Sequence, residues 1–151
     1  MTEPRAQEAR IIGWREWVQM PLLQARPFKA KIDSGAKTCA LHACYIETFT
    51  RDTLPWVRFG IHPNRRHRDV IIHCESALVD RREVRDSGGH LSLRCVIAVD
   101  LIIGGELINA EVTLADRAPL QYRMLIGRNA LRSRFVIDSA RSFVLGKPAA
   151  Q

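Results

Sequence analysis

At 151 residues, with 46% hydrophobic and 26% charged side chains, the chain suits one globular domain with a core of its own, and it contains no run of the roughly 18 apolar residues that a membrane helix needs. Its net charge of +7, from 23 Lys and Arg against 16 Asp and Glu, attracts anions in general, whether nucleic acid, phosphate or an acidic peptide. Cys39, Cys44, Cys74 and Cys95 lie far apart without Cys-x-x-Cys pairing, so they read as small buried hydrophobes and exclude a disulfide framework as the expected architecture.

Residues 1–10 carry Glu3, Arg5, Glu8 and Arg10 with no apolar core. They read as a flexible polar terminus and not a secretory signal, which points to the cytoplasm. Ile11 to Val18 reads as one strand carrying Trp14 and Trp17, ending before Pro21. Phe28 to Asp33 alternates apolar and polar residues and runs into Ser34-Gly35-Ala36, a strand entering a turn. There the glycine permits a sharp reversal, and the Asp33 carboxylate stands at the tip of a rigid element. Cys39 to Thr50 reads as extended, with a helical turn near Lys37–His42 as the alternative.

Trp56 to Ile61 and Val70 to Val79 read as two strands of a hairpin with a basic tip, where Arg65, Arg66 and Arg68 crowd together with His62 and His67. Arg81, Arg82 and Arg85 follow, and then the permissive turn Ser87-Gly88-Gly89. Leu91 to Ile103 and Leu107 to Leu114 read as long partners across a Gly104-Gly105 turn. Tyr122 to Gly127 is a buried strand, Asn129 to Arg132 a short helix, and Phe135–Asp138 with Ser142–Leu145 a closing hairpin. Residues 147–151 read as a flexible tail. Short strands with turn punctuation and hardly any helix predict an all-β barrel or sandwich in one domain, residues 11–146.

Several chemistries are poorly served. No His-Glu-x-x-His occurs, and in an extended segment Cys39 and His42 point to opposite sides, which spoils them as co-ligands; only a helical turn there would relax that objection. No Gly-x-Ser-x-Gly elbow is present, and neither Gly88-Gly89 nor Gly104-Gly105 precedes the Lys-Ser/Thr of a phosphate loop. Phe59 to Arg68 is basic enough for RNA but lacks the spaced aromatics of a stacking platform. What remains is the carboxylate of Asp33 and a second segment, Leu125-Ile126-Gly127, ahead of a short helix.

This pair resembles the retropepsin-type aspartic peptidases. Ala30-Lys31-Ile32-Asp33-Ser34-Gly35-Ala36 is similar to their apolar-Asp-Thr/Ser-Gly-Ala motif, and Met124-Leu125-Ile126-Gly127-Arg128-Asn129 to their apolar-apolar-Gly-Arg-Asn/Asp segment. Within that group the chain looks most like a bacterial family historically labelled ATP-dependent zinc protease. The matching stretches include Ile12-Gly13-Trp14-Arg15-Glu16, Leu41-His42-Ala43, Trp56-Val57-Arg58-Phe59 and Arg81-Arg82 before Ser87-Gly88-Gly89-His90. Ser34 stands where Thr is usual, and Cys39 near a usual Ser. The residues show neither zinc motif nor nucleotide loop, so aspartic chemistry is the reading adopted, with no metal and no cofactor expected.

The resemblance implies a retropepsin-like closed barrel with one short C-terminal helix. In it, the strand around Gly127 threads the loop that carries the aspartate. It implies catalysis by Asp33, Ser34 and Gly35, support from Ala36, Ile126, Gly127 and Arg128, and a flap at Ser87, Gly88 and Gly89. Asp86-Ser87-Gly88 repeats the tripeptide without an apolar strand leading in, which favours the flap. One Asp per chain implies a homodimer, because the chemistry needs two carboxylates sharing a proton. Some family members are encoded beside ligases that append glutamates, which implies glutamate-rich tails as substrate. Arg58, Arg65, Arg66, Arg81, Arg82 and Arg85 are the candidate contacts. The rivals are a non-catalytic module holding RNA or the ribosome on its basic face, with nucleic acid the less favoured partner, and the zinc protease of the old label. No membrane partner is expected.

Overall fold

The computed structural model describes residues 8–23, 26–62, 70–85, 88–115 and 121–148. In chain order its first strands are β1 (Arg10–Gly13), β2 (Arg15–Gln19), β3 (Phe28–Asp33), β4 (Cys39–His42), β5 (Tyr45–Arg51) and β6 (Leu54–Ile61). There follow β7 (Ile72–Ala77), β8 (Asp80–Arg85), β9 (Leu91–Ile103), β10 (Glu106–Ala115) and β11 (Met124–Gly127), then the helix α1 (Arg128–Leu131) and β12 (Phe135–Asp138). This is the expected mostly-β fold with one short helix near the C-terminal end.

The main sheet has the order β10-β4-β11-β3-β2-β9-β8, and β9 also pairs with β10. That last pairing closes six strands into a ring, so none of the six carries a free edge along its whole length. The alternation in the sequence decides which side faces in. Ala30 and Ile32 of β3, Cys39 and Leu41 of β4, and Ile97, Val99 and Leu101 of β9 are buried, while Lys29 and Lys31 look outward. β9 is long enough to serve three neighbours: β8 along its first half, then β10 and β2. The β9–β10 turn is at Gly104 and Gly105, both with positive φ (59° and 80°), as a two-residue hairpin loop of this twist requires.

A second antiparallel sheet, β5-β6-β7, lays Val57, Phe59, Ile61 and Cys74 onto the same core. Its β6–β7 pair is the expected hairpin; the basic tip with Arg65 and Arg66 lies outside the described residues, as does Ser87. All four cysteines are free; Cys39 and Cys74 are buried and Cys44 and Cys95 half-buried. Burial pushes the Cys74 thiol up to about 11.

Two expectations are corrected and one is refined. The Ile11–Val18 run is two strands, broken at Trp14: β1 pairs in parallel with β12, whereas β2 joins the ring. Cys39–Thr50 is extended as expected, in the two strands β4 and β5, without the alternative helical turn near Lys37–His42. Ser142–Leu145 forms no strand with β12. One buried carboxylate accounts for much of this. Glu16, fully buried, accepts hydrogen bonds from the backbone N–H groups of Gly13 (2.7 Å), Val144 (2.9 Å) and Leu145 (3.2 Å). The Val144 and Leu145 donors spent on this carboxylate cannot enter a ladder with β12, and the segment is held to β2 instead, with Phe143 N–H donating to Arg15 O at 3.0 Å.

Candidate active site

β11 inserts between β3 and β4, parallel to the first and antiparallel to the second. β3 and β4 are therefore held apart, and the connection 34–38 must arch over the end of β11. Gly127 is the residue that passes under this arch. A Cβ there would lie 2.4 Å from the Thr38 carbonyl oxygen and 2.9 Å from that of Ala36, so only glycine fits. The start of α1 then ties down the arch, with Arg128 N–H donating to Ala36 O at 2.8 Å and Asn129 N–H to Lys37 O at 3.0 Å. The Arg128 guanidinium adds bonds to Ser34 O (3.2 Å) and Gly35 O (3.4 Å).

Asp33 ends β3 on this arch, half-buried. Its Oδ1 accepts the Gly35 N–H at 3.0 Å, and its carbonyl accepts the Ala36 N–H at 3.2 Å. Together these fix the carboxylate in an Asx turn. Gly35 does not take a left-handed φ here; its part is to donate that N–H and to leave clearance, since a Cβ would sit 3.2 Å from Asp33 Oδ1. Ser34 is held through its carbonyl oxygen, in the bond from Arg128.

Asp33 opens onto a groove of about 1160 Å3. Register partners share a sheet face, so the floor is built in rows. Lys31 of β3 lies beside Leu125 of β11, Ala40 of β4 and Thr113 of β10. Two residues along, Asp33 lies beside Gly127, and Glu111 takes the same face of β10. One wall is β8, with Arg82, Val84 and Arg85; another part of the lining is Tyr122 and Arg123. The β8–β9 hairpin carries Gly88 and Gly89 in its turn, Gly89 with φ +82°.

The wall and the floor are joined by charge. Arg82 holds Glu111 with both arms (2.9 and 3.0 Å) and Asp80 through Nε (2.7 Å). This fork keeps the Glu111 carboxyl below the ordinary glutamate value, with Lys37 adding to the effect, and raises that of Arg82.

Of the arginines singled out from sequence, Arg82 and Arg85 reach the groove and Arg58 and Arg81 do not. Arg58 is on the second sheet, bonded to Glu75 at 3.2 Å and stacked over Phe49. Lys31, Lys37, Glu111 and Tyr122 line the groove without having been singled out. The parity of Lys31 with Asp33 was readable in the sequence, but the approach of β8 and β10 was not. Among the described residues, no group of three His, Cys, Asp or Glu side chains is placed to hold a metal. Cys39 points into the core, its Sγ 3.5 Å from Gly127 N, while His42 lines the groove.

A family model described as RimB-like, retropepsin-like aspartic endopeptidase RimB, matches residues 11–148. A Shewanella halifaxensis protein named probable alpha-L-glutamate ligase is 42% identical over 137 residues, 91% of this chain and 30% of that protein. A Desulfotalea psychrophila protein of the same name is 39% identical over 138 residues, again 91% of this chain and 30% of the relative. The chain thus spans about 30% of the length of the curated relatives it matches. The crystal structure of Lpg0085 from Legionella pneumophila, a protein described as of unknown function, has a TM-score of 0.74 at 25% identity, covering 90% of this chain and 98% of that one.

Proposed function

The chain belongs to the RimB-like family of retropepsin-like aspartic endopeptidases, and we propose that it hydrolyses peptide bonds in glutamate-rich segments, using a water activated by Asp33 in a site completed by a second copy of the chain. The observation that carries the reading is Asp33 itself: a carboxylate fixed by the Gly35 N–H at the tip of β3, on an arch threaded by Gly127, open to a groove.

The chemistry asks for two carboxylates in contact that share one proton, since two like charges that close cannot both ionise. A two-fold axis beside Asp33 would supply the second from the partner's identical residue. The ionised carboxylate takes a proton from water as its oxygen adds to the scissile carbonyl, and the protonated one gives its proton to the carbonyl oxygen. The tetrahedral diol then collapses: the carboxyl that took the water's proton gives it to the amide nitrogen as the C–N bond breaks, the other carboxylate takes a hydroxyl proton back from the diol, and the carboxyl product and the amine leave.

The substrate class draws on two supports. Lysines and arginines line much of the groove, and a chain of net charge +7 suits a polyanion. The relatives named as glutamate ligases carry a segment like this one as less than a third of their length, and a ligase and a hydrolase in one polypeptide would share a substrate.

The test compares an α-linked oligoglutamate peptide with its glutamine counterpart by mass spectrometry. The wild-type protein should cleave the glutamate peptide, more slowly as ionic strength rises, and Asp33→Asn should not, while keeping its circular dichroism spectrum. Cleavage by Asp33→Asn at the wild-type rate would overturn the reading. RNA binding that survives Asp33→Asn, without hydrolysis of either peptide, would assign a binding module instead.

A further inference from the structure

We infer that Lys31, on the floor beside Asp33, and Arg85, on the β8 wall, are the residues that read substrate carboxylates next to the scissile bond. This rests on the proposed acidic-peptide reading of the groove and names the contacts within it. Availability separates these cations from their neighbours. A cation already neutralised by its own protein gains little from a substrate carboxylate, because the new bond must replace an old one. Arg82 is such a cation, held in a fork by Glu111 and by Asp80 as well. Lys37 lines the groove too, but from the arch that follows Asp33 and not from the β3 face that sets the spacing to the carboxylate. Lys31 and Arg85 line the same groove, are exposed, and form no ion pair with any described residue.

Position supports the choice. Lys31 and Asp33 share one face of β3 two residues apart, a spacing of about 7 Å along the strand. An extended peptide repeats its same-side side chains at that interval too. A substrate lying along β3 with its scissile carbonyl at Asp33 therefore brings a neighbouring side chain to the Lys31 ammonium. Arg85, at the end of β8 next to the Gly88-Gly89 turn, lines the same groove from the wall. Lys and Arg are suited to these places differently: Lys31 as a flexible point charge, Arg85 as a fork for a carboxylate.

The readout is selectivity, the ratio of kcat/KM for an oligoglutamate peptide over its glutamine counterpart. Lys31→Gln and Arg85→Gln should each lower this ratio about tenfold, chiefly through KM, and flatten its dependence on salt. Lys31→Arg should restore most of the loss, and Arg81→Gln, outside the groove, should move the ratio less than about twofold. An unchanged ratio in both Lys31→Gln and Arg85→Gln would overturn the inference, as would an equal fall for Arg81→Gln. Binding of a fluorescent oligoglutamate peptide to the Asp33→Asn protein separates this from the peptidase reading. If the wild type cleaves nothing but Lys31→Gln and Arg85→Gln still weaken that binding about tenfold, the carboxylate-reading role stands and the hydrolysis falls. If the Asp33→Asn protein binds glutamate and glutamine peptides alike, the inference falls whatever the hydrolysis shows.

Discussion

Gly127 and the carbonyl oxygen of Thr38 are so close that a Cβ on Gly127 would lie 2.4 Å from that oxygen. Both groups are backbone on buried or anchored segments, so neither can swing aside. Gly127→Ala must push β11 away from the arch or the arch away from β11. The expected cost is about 3 kcal/mol of stability, measured by urea unfolding. Where the protein still folds, misplacing Asp33 by about 1 Å should cost around a hundredfold in kcat/KM. A fully stable Gly127→Ala would mean that β11 does not thread the loop as described.

The second prediction concerns Glu16. Its carboxylate serves three backbone donors from two distant parts of the chain. Glu16→Ala strands those N–H groups and should cost about 3 kcal/mol or more, lowering Tm by roughly 10 °C in a chain of this size. Amide exchange at Val144 and Leu145 should speed up more than that at Leu101 in β9, because the wrapped segment depends on Glu16 and the ring does not.

Much of this architecture was legible in one dimension. Asp33-Ser34-Gly35 and Leu125-Ile126-Gly127 are short contiguous signals, and Gly104-Gly105 marks its own hairpin. Other features were hidden because they depend on partners far away in sequence. The break at Trp14 comes with backbone bonds to Arg141 and Ile32, and the loss of a strand at Ser142–Leu145 with Val144 and Leu145 N–H donating to Glu16, which in the sequence is one acid among many. The β5–β6 hairpin turns at Asp52 and Thr53, both at positive φ, where the usual glycine signal is missing. The arginine runs drew attention to Arg58 and Arg81, yet Arg58 lies on the second sheet and Arg81 does not line the groove, whereas strand parity with Asp33 and Thr113 brings Lys31 and Glu111 into it.

That turn gives the third prediction. Thr53, β-branched, holds φ at +65°, a conformation that costs such a residue about 1 kcal/mol or more. Thr53→Gly should therefore raise stability modestly, by up to about 1 kcal/mol, the relief of strain being offset in part by the freer unfolded chain. A loss of stability on chemical denaturation would contradict the strained turn.

The fourth follows from Arg82 and Glu111. Hydrogen bonding to Arg82 keeps the folded-state carboxyls of Glu111 and Asp80 below their ordinary values. A depressed carboxyl contributes stability above its unfolded value, near pH 4, and loses it as the pH falls through the folded-state value. Asp80 is exposed and Glu111 only half-buried, so the contribution is small and sensitive to salt. The Tm difference between wild type and Glu111→Gln should thus be largest above about pH 5 and close toward pH 3. A difference that stays constant across that range would show that the fork contributes nothing through its charge.

Catalysis as proposed requires Asp33 to be half of a shared site. Wild-type and Asp33→Asn subunits can be mixed at fixed total concentration, allowed to exchange, and assayed on the oligoglutamate peptide. If two copies of Asp33 act together, only wild-type pairs cleave, and an equal mixture should retain about one quarter of the activity. Retention of about one half, falling linearly with the wild-type fraction, would mean that each chain works alone and would contradict the shared site.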